Sequence, residues 1–215
     1  MKWAYYIAAL MLIPLVVFCG CNTRFRHSET ASSSATATEL SSPVIRTVVE
    51  SGIEQTRTTR SYTQKYFVIP YPNGDVPAET GSCTDVVIRS FRSAGVDLQR
   101  EVHEDMAANF SAYPKKWGLR KPDTNIDHRR VPNLQTFFKR RGKALPVTVN
   151  ASDYQPGDVV SWDLDGRGMT HIGIVSNLWS EHSGRYLIIH NIGAGTTAED
   201  RLFDWPITGH FRYFR

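Results

Sequence analysis

The sequence predicts an α+β domain, with helices in its first part and an antiparallel sheet in its second. Apolar residues recur at helical spacing between residues 44 and 142. Beyond residue 156, short β-branched and aromatic runs are separated by turns rich in Gly, Asp and Ser. The 215 residues are 41% hydrophobic and 21% charged, which excludes a wholly disordered chain and a polytopic membrane protein. Helices followed by strands are typical of the α+β class.

The N-terminus has the features of an export signal over residues 1–20. Lys2 precedes an apolar run at residues 8–18, which is too short to cross a bilayer core of ~30 Å comfortably. The run ends in Phe18-Cys19-Gly20-Cys21, where a small residue directly before a cysteine resembles a bacterial lipobox with Cys21 as the lipidated residue. An uncleaved apolar anchor and an ordinary signal peptide are the alternatives. We therefore expect an exported, periplasmic protein that is anchored to the membrane as a lipoprotein.

Residues 21–43 are predicted to be a flexible tether. Ten of the 22 residues at positions 22–43 are Ser or Thr, so the segment has little apolar surface to bury. The folded domain is predicted over residues 44–215. Its first helix begins at Pro43 with Ser42 as the N-cap. The apolar face of that helix consists of Val44, Ile45, Val48, Val49 and Ile53.

Three further helices are predicted before residue 143. The second begins at Cys83 and ends at Gly95, a residue suited to the position after a helix end. The third runs from Leu98 to Phe110 on an apolar stripe. The fourth has Pro132 in its first turn and Gly142 after its last, and its apolar residues are Leu134, Phe137 and Phe138.

Four strands are predicted in the second part. The first three cover residues 159–162, 171–175 and 186–190, and a closing strand covers 210–214. The formal net charge is +4, which suits an acidic partner. The sequence contains no nucleic-acid-binding motif, so we expect no nucleic-acid partner, and we expect a monomer.

Cys83 is the lone cysteine of the predicted domain, and it stands where a loop enters a helix. Free N–H groups at a helix start lower a thiol pKa and favour the nucleophilic thiolate. His171 opens a strand, and a neutral imidazole there can accept a thiol proton. His190 and Asn191 end the next strand, so either can approach and orient His171 in an antiparallel hairpin. The alternatives are a buried core cysteine and histidines that serve only in packing.

A metal site is the other hypothesis for these residues. The histidines at positions 103, 128, 171 and 190 are separated more widely than zinc ligands usually are. We therefore predict no metal and no cofactor.

The order of these motifs resembles the NlpC/p60 cysteine peptidases, a papain-like superfamily that cleaves peptidoglycan stem peptides. The shared features are a cysteine at a helix start, the Pro156-Gly157-Asp158 turn before a strand, and a histidine in each of the next two strands. The resemblance implies that Cys83 is the nucleophile, His171 the base and His190 the residue that orients the base. It also implies a papain-like fold, with the helical part packed on a small antiparallel sheet or barrel.

The chain departs from the main superfamily in two ways. Ser82-Cys83-Thr84-Asp85 replaces the usual Asp-Cys-Ser-Gly, and 88 positions separate Cys83 from His171. The added segments, among them residues 102–106, 113–119 and 125–134, resemble family 1287 of the bacterial domains of unknown function, which is grouped with NlpC/p60-like folds.

The resemblance implies an exported cysteine amidase or peptidase that acts on peptidoglycan peptides. The alternatives are acyl transfer from the same thioester and a non-catalytic protein that binds the cell envelope or acts as a scaffold. Peptidoglycan stems carry carboxylates, and Arg129 or Arg130 can hold such a group through paired hydrogen bonds. Trp117 and Trp162 either line a groove or pack in the core. The candidate substrate-binding residues are Asp85, His128, Arg129, Arg130 and Asn191.

Overall fold

The computed structural model describes residues 35–214, in which four α-helices precede most of a mixed set of strands. The helices are α1 (Pro43–Thr58), α2 (Cys83–Ser93), α3 (Leu98–Ala108) and α4 (Val131–Arg140). Short 3₁₀ turns occur at Phe110–Ala112, Asp127–Arg129 and Ala151–Asp153. None of the helices in this part of the chain combines the length and apolar character needed to cross a membrane.

Most strands of an antiparallel sheet follow the helices in the chain and form the second half of the domain. Along the sheet the strands lie in the order β4-β9-β5-β6-β7-β8, with β1 added beside β6. A separate short pair, β2 and β3, is parallel and lies directly before α2. The strands are β1 (Ala35–Ala37), β2 (Ser61–Tyr62), β3 (Thr80–Gly81), β4 (Ala144–Leu145), β5 (Val159–Asp163), β6 (Thr170–Ser180), β7 (Arg185–Asn191), β8 (Thr196–Glu199) and β9 (Ile207–Phe211).

Alternate residues of the sheet enter two different cores. On one face Val159, Ile172 and Ile174 pack with Cys83 and the buried residues of α2, α3 and α4. On the other face Val160, Trp162 and Val175 pack with Tyr154 and Leu202. Because successive strand residues point to opposite faces, one strand contributes to both cores, and the helices cover only one of them.

The turn that precedes β5 is held by a buried carboxylate. Gly157 has a φ of +87°, a conformation that favours glycine, and a Cβ there would lie 2.9 Å from Ile45. Asp158 is fully buried and accepts hydrogen bonds from His210 at 2.8 Å and from Arg212 at 2.7 Å. The turn therefore ties β5 to the last strand of the sheet.

The α+β class and the start of a helix at Cys83 are confirmed. The glycines expected after α2 and α4, Gly95 and Gly142, have φ values of +82° and +66°. Several boundaries differ from the expectation, among them the end of β6, which lies at Ser180 rather than at residue 175. Phe110 lies in a 3₁₀ turn beyond α3, and the last strand spans Ile207–Phe211 rather than residues 210–214.

The end of the expected tether also differs from its prediction. Ala35, Thr36 and Ala37 pair with residues of β6, and the backbone N–H of Thr38 donates to Asn177 at 2.8 Å. Strand β6 supplies backbone hydrogen-bond partners for these residues, and the composition of the segment gives no information about such partners. The predicted signal peptide and the lipidation site Cys21 lie outside the described residues.

Candidate active site

Cys83 is the first residue of α2, and Ser82 and Asp85 cap this helix terminus by hydrogen bonds. The backbone N–H of Ser82 donates to the carboxylate of Asp85 at 2.6 Å, so the helix start has a fixed geometry. The N–H of Ile172, which directly follows His171 in β6, donates to the Cys83 sulfur. The sulfur of Cys83 and the backbone beside His171 are therefore in contact, although 88 positions separate the two residues in the sequence.

The Cys83 thiol is neutral in this structure, contrary to the lowered pKa that its position predicts. Burial raises the pKa of the thiol to about 12, and the Asp85 carboxylate adds to that shift. The backbone N–H groups of Ile172, Thr84 and Cys83 itself lower the pKa, but by less. The helix terminus is present as expected, and the loss of water outweighs it because the residue is only 6% exposed.

Two buried histidines of neighbouring strands contact each other. Nε2 of His171 lies 2.8 Å from Nδ1 of His190, and the residues are 2% and 0% exposed. Burial and, to a smaller extent, His190 lower the pKa of His171 to about 3, so the ring is neutral near pH 7. Among the described residues, Nδ1 of His171 forms no hydrogen bond, so this nitrogen is available to accept a proton.

Tryptophans shield the histidine pair. Trp162 pairs with His171 across β5 and β6, and the two ring centroids are 5.8 Å apart. The Trp205 ring lies 6.1 Å from His171 and 6.5 Å from His190. Trp162 is fully buried and belongs to the core, so it packs against the site rather than lining a groove.

Asn191 does not contact His171. Its side-chain amide donates to the backbone oxygens of Ser61 at 3.1 Å and Gly81 at 3.0 Å. Gly81 lies two residues before Cys83, so Asn191 joins the end of β7 to the loop that leads into α2. Of the two candidates for orienting His171, only His190 lies against it.

Asp85 and Arg129 form a buried ion pair with each other. Nε of Arg129 donates to Oδ1 of Asp85 at 2.8 Å and Nη2 to Oδ2 at 3.0 Å, while Nη1 donates to the Lys65 backbone at 2.9 Å. Burial raises the pKa of Asp85, but the hydrogen bonds and charge of Arg129 outweigh it and leave the pKa lowered. Three of the five guanidinium N–H groups therefore have partners within the protein, and Arg129 also lies in the lining of the pocket described next, so its predicted carboxylate-binding role stays a prediction.

A pocket of about 390 Å³ opens at Cys83. Its lining includes Tyr62, Trp117 and Arg130, with Thr170 at the edge of β6. The guanidinium of Arg130 lies 4.2 Å from the centre of the Trp117 ring. Nη1 of Arg130 has no hydrogen-bond partner among the described residues, and a carboxylate oxygen of Asp127 lies 3.7 Å from it. Arg130 therefore lies in the pocket lining with one buried nitrogen that forms no hydrogen bond among the described residues.

His128 is not in the lining of this pocket. It is 2% exposed, and burial lowers its pKa to about 4. The predicted substrate contact for His128 is therefore not supported, because its 3₁₀ turn places the ring in the interior.

Two residues of the site were not foreseen from the sequence, and Trp117 has one of the two roles that the sequence left open. Tyr62 lies in a two-residue strand beside the pocket, where burial raises its pKa. Trp117 lines the pocket. Glu199 lies 3.3 Å from Nε2 of His190. No local sequence pattern marks Tyr62 or Glu199 as a site residue. Tyr62 lies at the site through its position near Cys83, and Glu199 through its contact with His190, and both partners are distant in the sequence.

The arrangement of these groups supports proton transfer from a thiol to an imidazole. A neutral thiol lies in the lining of the pocket, and a neutral histidine in contact with a second histidine lies on β6, directly after the pocket residue Thr170. The described residues contain no cluster of histidine, cysteine and acidic side chains that would hold a metal ion. Nucleophilic catalysis needs a nucleophile, a base and an orienting group in this mutual arrangement.

Comparison with known proteins identifies the family. Residues 49–213 match the model described as Domain of unknown function (DUF1287). The Escherichia coli (strain K12) protein called Uncharacterized protein YijF is 54% identical over 167 residues, which cover 78% of this chain and 80% of that protein.

Two solved structures are similar at 12% identity. NlpC1 from Trichomonas vaginalis matches 82% of this chain and 46% of its own, with a TM-score of 0.45. A Staphylococcus aureus protein described as similar to lipoprotein, NLP/P60 family, matches 84% of this chain and 44% of its own, with a TM-score of 0.41. This chain spans less than half the length of either solved chain. The family match covers Cys83, His171 and His190, and the chain belongs to the DUF1287 family.

Proposed function

We propose that the protein is an exported cysteine hydrolase that cleaves amide bonds in peptidoglycan stem peptides. Cys83 is the nucleophile, His171 the base and His190 the residue that orients the base. One observation carries the proposal: the buried contact of 2.8 Å between His171 and His190, on a strand whose next residue, Ile172, packs in one core with Cys83. The choice of peptidoglycan as substrate rests on the resemblance to NlpC/p60 peptidases.

The proposed reaction begins from two neutral groups. As the Cys83 sulfur attacks the amide carbonyl, Nδ1 of His171 accepts the thiol proton, so no thiolate has to exist beforehand. Backbone N–H groups at the start of α2 stabilise the negative charge on the carbonyl oxygen. His171 then gives its proton to the leaving amine, and water hydrolyses the thioester to release the acid and restore the thiol.

Arg130 is the proposed contact for a substrate carboxylate. Arg130 lines the pocket, its buried Nη1 forms no hydrogen bond among the described residues, and its stacking on Trp117 limits the motion of the guanidinium. Burial lowers the pKa of Arg130, and an anion at this position would compensate that loss of solvation. Arg130→Gln should raise KM for a stem peptide with a free carboxylate but not for its amidated form. Arg57→Gln, on an exposed arginine of α1, is the control for the loss of one positive charge.

One observation favours a non-catalytic envelope protein as the second candidate. Burial and a pKa of about 12 are also what an inert core thiol would have. An inert thiol has no need of a neutral imidazole pair near it, and this difference makes the two functions separable by experiment. Acyl transfer in place of hydrolysis would use the same thioester and a different acceptor.

Export and lipid anchoring through Cys21 are part of the proposal. Their support is the N-terminal sequence alone: the apolar run, the small residue before Cys21 and the polar segment after it. Cys21→Ser should release the protein from the membrane fraction. Retention of this variant in the membrane would make the apolar run itself the anchor.

The decisive experiment is digestion of purified sacculi, with mass analysis of the released fragments. The wild-type chain should release peptides cut at one type of amide bond, and Cys83→Ala should release none. Cys21→Ser is the matched control, because it also replaces one cysteine but leaves the pocket intact. Equal digestion by the wild type and Cys83→Ala, or none by either, would contradict the proposal.

A further inference from the structure

A carboxylate lies on the far side of the histidine pair. Oε2 of Glu199 in β8 is 3.3 Å from Nε2 of His190, so His190 lies between Glu199 and His171. Strand register explains the contact, because His190 pairs with Thr197 and Ile188 with Glu199, which places Glu199 diagonally next to His190 on one face. The reaction proposed above assigns no role to this residue.

The chemistry of the three groups determines which ring nitrogens carry hydrogen. An ionised carboxylate only accepts hydrogen bonds, so Nε2 of His190 must donate to Glu199. In a neutral imidazole the other nitrogen then has a lone pair, so Nδ1 of His190 accepts. The only donor at that contact is Nε2 of His171, which leaves the lone pair of His171 on Nδ1.

We propose that Glu199 is a positioning residue that sets the tautomers of both histidines and thereby makes Nδ1 of His171 the nitrogen that accepts the Cys83 proton. The proposal rests on the proposed function, in which His171 is the base. It adds a charged residue that acts through His190 and touches neither Cys83 nor the pocket lining.

The charged groups around His190 are few. Burial lowers the pKa of His190, and Glu199 raises it by charge and by hydrogen bonding. Arg201 lowers that pKa and Asp204 raises it. Nε of Arg201 lies 3.2 Å from the same Oε2 that faces His190, so Arg201 holds the Glu199 carboxylate in place at one side.

The test uses ¹⁵N chemical shifts of the histidine side chains, which distinguish a protonated from an unprotonated ring nitrogen. In the full wild-type chain at pH 7, both rings should carry hydrogen on Nε2 and none on Nδ1. Glu199→Leu removes the acceptor and should move hydrogen onto Nδ1 of His171 in most of the molecules. Glu199→Gln keeps a carbonyl acceptor and should keep the wild-type tautomers.

A second readout is the rate at which iodoacetamide alkylates Cys83 at pH 7, followed by mass analysis of the peptide that contains Cys83. Glu199→Leu should lower this rate at least ~10-fold, because the accepting nitrogen is blocked, and Glu199→Gln should restore most of it. Glu181→Leu, on an exposed glutamate of the turn after β6, is the matched control and should change neither readout.

The two hypotheses fail in different ways. Wild-type rings with hydrogen on Nδ1 of His171, or Glu199→Leu with unchanged shifts and an unchanged alkylation rate, would overturn the role of Glu199. Neither measurement uses a peptide substrate, so an absence of sacculus digestion would contradict the proposed function and leave this test intact. Glu199 is partly exposed, and the fold of each variant is checked by its thermal midpoint.

Discussion

Replacing His190 with alanine separates the orienting histidine from its neighbour Asn191. In the structure Nε2 of His171 has one partner, Nδ1 of His190 at 2.8 Å, and both rings are almost fully buried. Without His190, that N–H is buried and unpaired, and the His171 ring is free to turn. The change is confined to a side chain that does not line the pocket.

The size of the effect follows from the cost of a lost buried hydrogen bond. Leaving a buried donor unpaired costs about 1–3 kcal/mol. If that cost falls on the reactive orientation of His171, it corresponds to about a 5- to 150-fold loss of turnover, at ~1.4 kcal/mol for each factor of ten. We expect His190→Ala to lower turnover more than ~10-fold, which corresponds to a cost above ~1.4 kcal/mol within that range, and to leave measurable activity.

The assay is the initial rate of fragment release from sacculi at equal concentrations of folded protein. Asn191→Ala is the comparison, because it removes three hydrogen bonds, to Ser61, Gly81 and Gly193, and none from His171. It should lower turnover less than ~10-fold and lower the thermal midpoint instead. His190→Gln should recover part of the activity, since its amide can accept from His171 and donate to Glu199.

The result that would refute the reasoning is the reverse ranking. If Asn191→Ala loses more turnover than His190→Ala while both variants are folded, the orienting role belongs to Asn191. If neither substitution changes the turnover, the contact between the two histidines has no part in the reaction.

Three further predictions concern pH, a buried charge and a glycine. Because burial lowers the pKa of His171 to about 3, its ring stays neutral as the pH falls. The acid limb of kcat/KM should therefore lie below about pH 5 rather than near 6.5. A limb near pH ~6.5 would contradict the buried environment of the ring. Arg129→Met leaves Asp85 buried without its partner and should cost about 3–5 kcal/mol in urea unfolding, whereas a loss under ~1 kcal/mol would mean that water reaches the carboxylate. Gly173→Ala places a Cβ 3.2 Å from that of His190 and 2.9 Å from the backbone oxygen of Ile189. This substitution should lower the free energy of unfolding by about 1–3 kcal/mol and should also lower turnover. Unchanged activity and an unchanged thermal midpoint would show that β7 shifts to accept the methyl group.

Local patterns in the sequence were enough to predict the fold class and the order of the chemical groups. Helical spacing after Cys83 and the glycine at position 95 predict α2 because both depend on residues within a few turns. Short β-branched runs predict the strands that carry His171 and His190 for the same reason. The strand β1, which lies within the expected tether, was not predictable from composition, since it exists only by pairing with β6.

What the sequence by itself determined is therefore which residues stand at helix starts and strand ends, since those positions follow from periodicity and turn chemistry. The tertiary structure decided which of them meet: His190 rather than Asn191 lies against His171, and Arg129 is used by Asp85 while Nη1 of Arg130 forms no hydrogen bond among the described residues. It also decided that the Cys83 thiol is neutral, since desolvation depends on every element packed around the sulfur and outweighs the helix terminus that the sequence predicts.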